Sequence, residues 1–143
     1  MAGWKRVDEI IAFQLGVKLR DWLLADIDSG RIPRDFQYRD QMAAAARSVP
    51  ANISEGFDLY AHGRFAFHVG VAKGSLGELE THLDEARKRG FLDEEGHLAR
   101  LTLLIETRRT TSGLLRHLKT SDAPESWTDP ADQPNTPHRG THE

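Results

Sequence analysis

The chain has 143 residues, a formal net charge of −3 and no cysteine. The length suits one domain, and the missing cysteines exclude a disulfide framework, a thiol nucleophile and a zinc–thiolate site. No apolar run approaches the ~20 residues of a membrane-spanning helix. The charge is unevenly placed. Residues 1–119 carry 18 Lys+Arg and 17 Asp+Glu, a net of +1, whereas residues 120–143 carry one Arg and five acids, a net of −4. The first 119 residues therefore have no global field that demands a polyanion, and nucleic-acid binding would need local clustering. The opening MAGWKRVDEI lacks the apolar core of a signal peptide, so a cytoplasmic protein with no membrane partner is expected.

The first predicted helix runs from Trp4 to Ile27. Val7, Ile11, Leu15, Leu19 and Trp22 form its apolar stripe, widened by Ile10 and Ile27. Asp8 and Glu9 suit its positive amino-terminal end. Ser29-Gly30 stops it and Pro33 prevents a restart. The second helix begins near Phe36 and reaches Tyr60, with Met42, Ala46, Val49, Ile53, Phe57 and Tyr60 on one stripe. Pro50 lies inside it. A mid-helix proline removes one donor and crowds the carbonyl four residues back, at a cost of about 3 kcal/mol. The pattern favours one kinked helix; the alternative is two short helices meeting at Val49, with Pro50 opening the second.

The third helix follows the break at His62-Gly63. Phe65, Val69, Ala72, Leu76, Leu79, Leu83 and Ala86 repeat at steps of four and three over three heptads, the strongest periodic signal in the chain. Gly70, Gly74, Ser75 and Gly77 weaken this helix, and their expected return is close backbone packing against the alanine face, Ala43 to Ala46, of the second. Arg87, Lys88 and Arg89 fill the last turn before the stop at Gly90. The fourth helix is capped by Asp93, and its predicted stripe is Leu98, Leu101, Ile105, Ser112, Leu115 and Leu118. From residue 120 the sequence is polar, acidic and proline-rich, and is expected to be disordered; Trp127 is its one candidate for docking. The expected architecture is all-α: an up-down-up-down four-helix bundle over residues 1–119, a kinked second helix, and a tail at 120–143.

Little points to catalysis or a cofactor. Di-iron bundles need two Glu-x-x-His pairs, and Glu94-x-x-His97 stands alone at a helix start. Glu78 and His82 lie off the core stripe, and His62, His68, His82, His97 and His117 are scattered over separate elements. No catalytic residue, cofactor or metal site is assigned. Asn52 and Glu55, near the proline, lack a nucleophile beside them. They read as structural groups that bond the carbonyl freed at Ala46, cap the third helix, or pair with a basic residue across the bundle. The basic residues offer a phosphate-contact surface: Arg87, Lys88 and Arg100 around the turn between helices three and four, and Arg109 and Arg116, seven apart on one face of helix four. A solvated charged face is the ordinary alternative.

QMAAAARSVPANISEGF, residues 41–57, resembles the signature of the four-helix-bundle proteins encoded in intervening sequences of bacterial 23S ribosomal RNA genes. It is also similar to the accessory variability proteins of diversity-generating retroelements. The matching residues are Gln41, Ala45, Ser48, Pro50, Asn52, Ile53, Glu55, Gly56 and Phe57. A second block, Ala72 to Thr81, matches an A-x-G-S-x-x-E-L-E-T pattern through Gly74, Ser75 and Glu78. The resemblance covers residues 5 to 119 and departs at Ala44 and Leu59, where arginine is expected in many members. It implies a homo-oligomeric ring, a pentamer, with RNA or DNA, or a protein such as a reverse transcriptase, as partner. Phe13, Leu24, Phe67 and Val71, off the main stripes, add a second apolar face suited to assembly. The expected function is a non-enzymatic accessory protein contacting nucleic-acid backbone. The alternative is a protein-interaction scaffold that presents its acidic tail.

Overall fold

A computed structural model describes residues 3–32, 35–59 and 64–120. Four helices make up almost all of it: α1 (Ile11–Asp28), α2 (Phe36–Asp58), α3 (Phe65–Lys88) and α4 (Glu94–Thr120), with a 3-10 turn at Val7–Glu9 ahead of α1. Each helix packs on its neighbours in sequence, and α4 closes back on α1, giving the expected up-down bundle. The stops at Gly30 and Gly90 and the Asp93 cap act as read, but α1 starts at Ile11 rather than Trp4, and Asp35 is a cap that the sequence reading did not name. Gly30 and Gly90 adopt positive φ, 78° and 79°, where α1 and α3 end. Asp35 and Asp93 accept the backbone N–H groups of Tyr38 at 3.1 Å and Gly96 at 2.6 Å, capping α2 and α4. Tyr60, His62, Gly63 and the tail with Trp127 lie outside the described residues.

α2 is one helix across Pro50, not two. Met42, Ala46, Val49 and Ile53 are buried as expected. All seven positions of the α3 heptad run are buried too. The stripes of α1 and α4 are rotated from their expected faces. α1 buries Ala12, Gly16, Leu19, Leu23, Asp26 and Ile27, while Ile11 faces out. α4 buries Arg100, Leu103, Leu104, Thr107, Thr111, Leu114 and Leu118. Leu98 and Ile105, assigned to the core from sequence, are 62% and 41% exposed. Leucines occur on two faces of α4, and the face with threonine and arginine goes inside because each polar group finds a partner there. Thr107 and Thr111 bond back to the carbonyls of Leu103 and Thr107, both at 2.7 Å.

The close helix contacts also fall elsewhere than expected. Gly74, with Gly70 and Gly77, has open space where a Cβ would stand. Gly16 and Gly56 make the tight approaches instead. A Cβ on Gly16 would lie 3.0 Å from Val49 Cγ1 and 3.6 Å from Pro50 N; one on Gly56 would lie 2.8 Å from His68 Cβ. Thus α1 comes closest to α2 at its proline, and the start of α3 rests on the end of α2. The core divides into two clusters. One is aliphatic and runs from Leu19 and Leu23 to Leu83 and Leu104; the other gathers Ile10, Ile53, Phe65, Val69, Leu114 and Leu118 at the opposite end. Along α4, Thr107 and Thr111 separate them.

Two predictions follow from this packing. Leu76→Ala and Leu79→Ala each cost about 2–5 kcal/mol in denaturant titration, whereas Leu98→Ala stays within about 0.5 kcal/mol. Gly74→Ala and Gly77→Ala raise stability by about 0.5–1 kcal/mol, the helix-propensity difference at an open site. Gly56→Ala lowers it, because His68 and Phe65 must move. A stabilising Gly56→Ala would place the tight approach elsewhere.

Candidate nucleic-acid interface

The signature residues of α2 and α3 form a polar seam between the two helices. Asn52 Nδ2 donates to the Ser48 carbonyl and to Ser48 Oγ, both at 2.9 Å. Ser75 Oγ lies 2.8 Å from Ser48 Oγ. His68 Nδ1 lies 3.2 Å from Asn52 Oδ1 and 4.0 Å from a Glu55 carboxylate oxygen. Asn52 therefore bonds the Ser48 carbonyl rather than that of Ala46, and Glu55 reaches across to a basic side chain, one of the expected roles. Gly56 supplies the clearance that lets His68 come this near. His68 is the participant that sequence reasoning missed. The signal for it was the Asn52–Glu55 pair, a half-buried amide and an acid that needed a partner across the helix interface. Gln41 and Glu78 stand apart from the seam, exposed on a shallow groove with Ala44, Thr81 and His82. Leu59, the other position departing from the family pattern, is half-buried at the end of α2.

The five basic residues assigned to phosphate contact separate into three groups. Arg87 and Lys88 share Asp84: Arg87 Nη2 lies 2.9 Å from one carboxylate oxygen and Lys88 Nζ 2.9 Å from the other. Arg87 also approaches Glu94 at 3.5 Å. These hydrogen bonds hold the Asp84 carboxyl down at about 2. Arg89 is likewise engaged by Asp35 at 3.0 Å and lies over the Phe91 ring. The basic run at the end of α3 is thus neutralised locally.

Arg100 must be withdrawn from the surface. It is 6% exposed and grips Asp26 of α1 with two bonds, Nε to Oδ2 at 2.6 Å and Nη2 to Oδ1 at 2.7 Å. Its third nitrogen donates to the Gly96 carbonyl at 2.8 Å, and the guanidinium lies 4.8 Å from the Trp22 ring centroid. This bidentate clamp ties α1 to α4. Sequence pattern placed Arg100 off the stripe because the true stripe could not be separated from that of Leu98 and Ile105.

Arg109 and Arg116 remain. Both are exposed on α4, seven residues apart, with no ion pair among the described residues. Their neighbour Arg108 is paired with Glu80 of α3. Two unneutralised guanidinium groups about 10.5 Å apart along one helix face can bond phosphate oxygens. Among the described residues no three His, Asp or Glu side chains come together to hold a metal ion, and no helix is long and apolar enough to cross a membrane.

A family model described as 23S rRNA-intervening sequence protein matches residues 9–113. The chain belongs to that family. The match takes in both halves of the α2–α3 seam, from Ser48 to Ser75, and the Arg100 clamp with Asp26. No curated protein matches the chain. Within the family fold, the seam joins α2 to α3 and the clamp joins α1 to α4.

The clamp can be tested directly. Arg100→Ala leaves Asp26 buried with only Arg31 nearby, at 3.6 Å, and costs about 3–5 kcal/mol. Replacing the pair together, Asp26→Leu with Arg100→Met, costs much less, because no charge is left buried. Denaturant titration of the three proteins distinguishes a desolvated ion pair from a surface contact, for which Arg100→Ala would cost under about 1 kcal/mol.

Proposed function

We propose that the protein is a non-enzymatic, homo-oligomeric accessory protein that binds RNA or DNA through the phosphate backbone, using Arg109 and Arg116 of α4. The observation that carries this reading is the isolation of these two arginines. The other cations assigned from sequence are spent on Asp84, Glu94 and Asp26. Two arginines alone make a weak site. Repetition around an oligomer raises affinity without a new contact, since each further engagement is intramolecular.

Two exposed apolar strips support assembly: Phe67 and Val71 on α3, 57% and 39% exposed, and Leu98 with Ile105 on α4. Phe13 and Leu24, the other residues of the expected second face, are partly buried against the chain's own core. The assembly surface in this reading therefore belongs to α3 and α4. A five-fold ring is the arrangement that the family resemblance implies.

The test is binding of generic RNA and duplex DNA as a function of salt, with particle mass measured by light scattering. The wild type binds both polymers with little sequence preference, and affinity falls steeply with ionic strength. Arg109→Glu with Arg116→Glu removes binding and leaves melting unchanged, because both side chains are exposed. No salt-dependent binding by the wild type at low ionic strength would end the nucleic-acid reading in favour of a scaffold that presents its acidic tail.

A further inference from the structure

Where α1 begins and α4 finishes, an open hollow of 490 Å³ lies between the two helices. Trp4, Ile10 and Ile11 form one wall; Gly113, Leu114 and His117 form the other. Ile11 is 56% exposed there, and no atom stands within 4 Å of where a Gly113 Cβ would be. Apolar walls open to water are an unfilled contact surface. We propose that this hollow is the docking site for Trp127 of the same chain.

Three observations select that occupant. The first is reach. α4 ends at Thr120, seven residues before Trp127. Seven extended residues span roughly 23–25 Å, whereas the return from Thr120 to the level of Gly113 is about 10 Å along the helix. The second is chemistry. Trp127 is the one large apolar side chain in residues 121–143. Its indole can lay an apolar body on Ile11 and Leu114 and keep its N–H at the open rim, where water satisfies it. The third is charge. Glu125 and Asp129 flank Trp127 two residues away on either side. Arg109 and Arg116 stand four residues before and three after Gly113, exposed and without an ion pair among the described residues. An acid–tryptophan–acid segment meets an arginine–hollow–arginine surface. The inference rests on the hollow, the segment and the two arginines; a nucleic-acid backbone would compete with the docked tail for Arg109 and Arg116, so docking is read in the protein alone.

Fluorine NMR of the full chain labelled with 5-fluorotryptophan tests it. The three tryptophans give three resonances, and Trp127→Phe assigns the one in question. Docking displaces the Trp127 resonance from the position of free fluorotryptophan. It also shields the resonance from a soluble paramagnetic agent as well as that of Trp22, which is half-buried beneath Arg100. Gly113→Leu projects a side chain into the hollow from a position where a Cβ meets nothing within 4 Å outside its own helix backbone, and is expected to return Trp127 to the free position while Trp22 stays where it is. Glu125→Lys with Asp129→Lys leaves the bundle untouched and is expected to lose part of the shielding at low salt. Three results overturn the proposal: a Trp127 resonance at the free position in the unmodified chain, shielding that survives Gly113→Leu, or shielding that fades on dilution. The last would give the hollow to the tail of another copy.

Discussion

The bundle depends on keeping α2 continuous through Pro50. A proline there withdraws one backbone donor from the helix and adds a ring to its surface, and the neighbouring helices are shaped to that fact. Gly16 of α1 has no side chain where Val49 and Pro50 press closest. On the other flank, Ser48 and Asn52 turn toward Ser75 and His68 of α3. Α side chain at position 16 would push α1 away from the proline, and an apolar residue at 52 would leave Ser48 and His68 short of a partner. Gly16, Ser48, Asn52, His68 and Ser75 thus hold three helices against one proline.

The charges are arranged with similar economy. Arg87 and Lys88 at the end of α3 share an acid, and among the described residues the one buried guanidinium is matched by the one buried carboxylate, Asp26. Such a pair adds little net stability over an apolar one. What it adds is register. Two parallel hydrogen bonds to Asp26 fix how far α4 can slide along α1, a coordinate that leucine contacts leave loose, and a third bond, to Gly96 of α4 itself, holds the guanidinium in place. With that pair inside and Asp84 serving both Arg87 and Lys88, Arg109 and Arg116 are the two of the five assigned cations left without an ion pair among the described residues.

How legible this was in the sequence differed from helix to helix, for physical reasons. The heptads of α3 were legible because all seven positions of the run are apolar and the second apolar strip, Phe67 and Val71, is too short to compete with it. α4 was legible as a helix but not in its orientation. It carries leucines on two faces, and the buried one includes Arg100, Thr107 and Thr111, which hydropathy counts as outside. α1 misled for the opposite reason: its buried face contains Ala12 and Gly16, small residues that score weakly but mark where helices touch. Glycines gave no guidance on their own. Gly74 and Gly56 look equally costly in sequence, and only the neighbouring chain decides which is wedged and which stands in the open. The family signature located Ser48, Asn52 and Ser75, but His68, which completes the seam, belongs to neither matching block.

The division of the interior has a consequence for how the molecule comes apart. Gly16, Thr107 and Thr111 belong to neither apolar cluster, and on α4 the two threonines stand between Leu104 of one and Leu114 of the other. The threonine hydroxyls are satisfied within their own helix rather than across the interior. Loosening at one end is therefore poorly transmitted to the other. Among the described residues the Arg100–Asp26 pair braces one half, and no buried ion pair braces the half around Phe65.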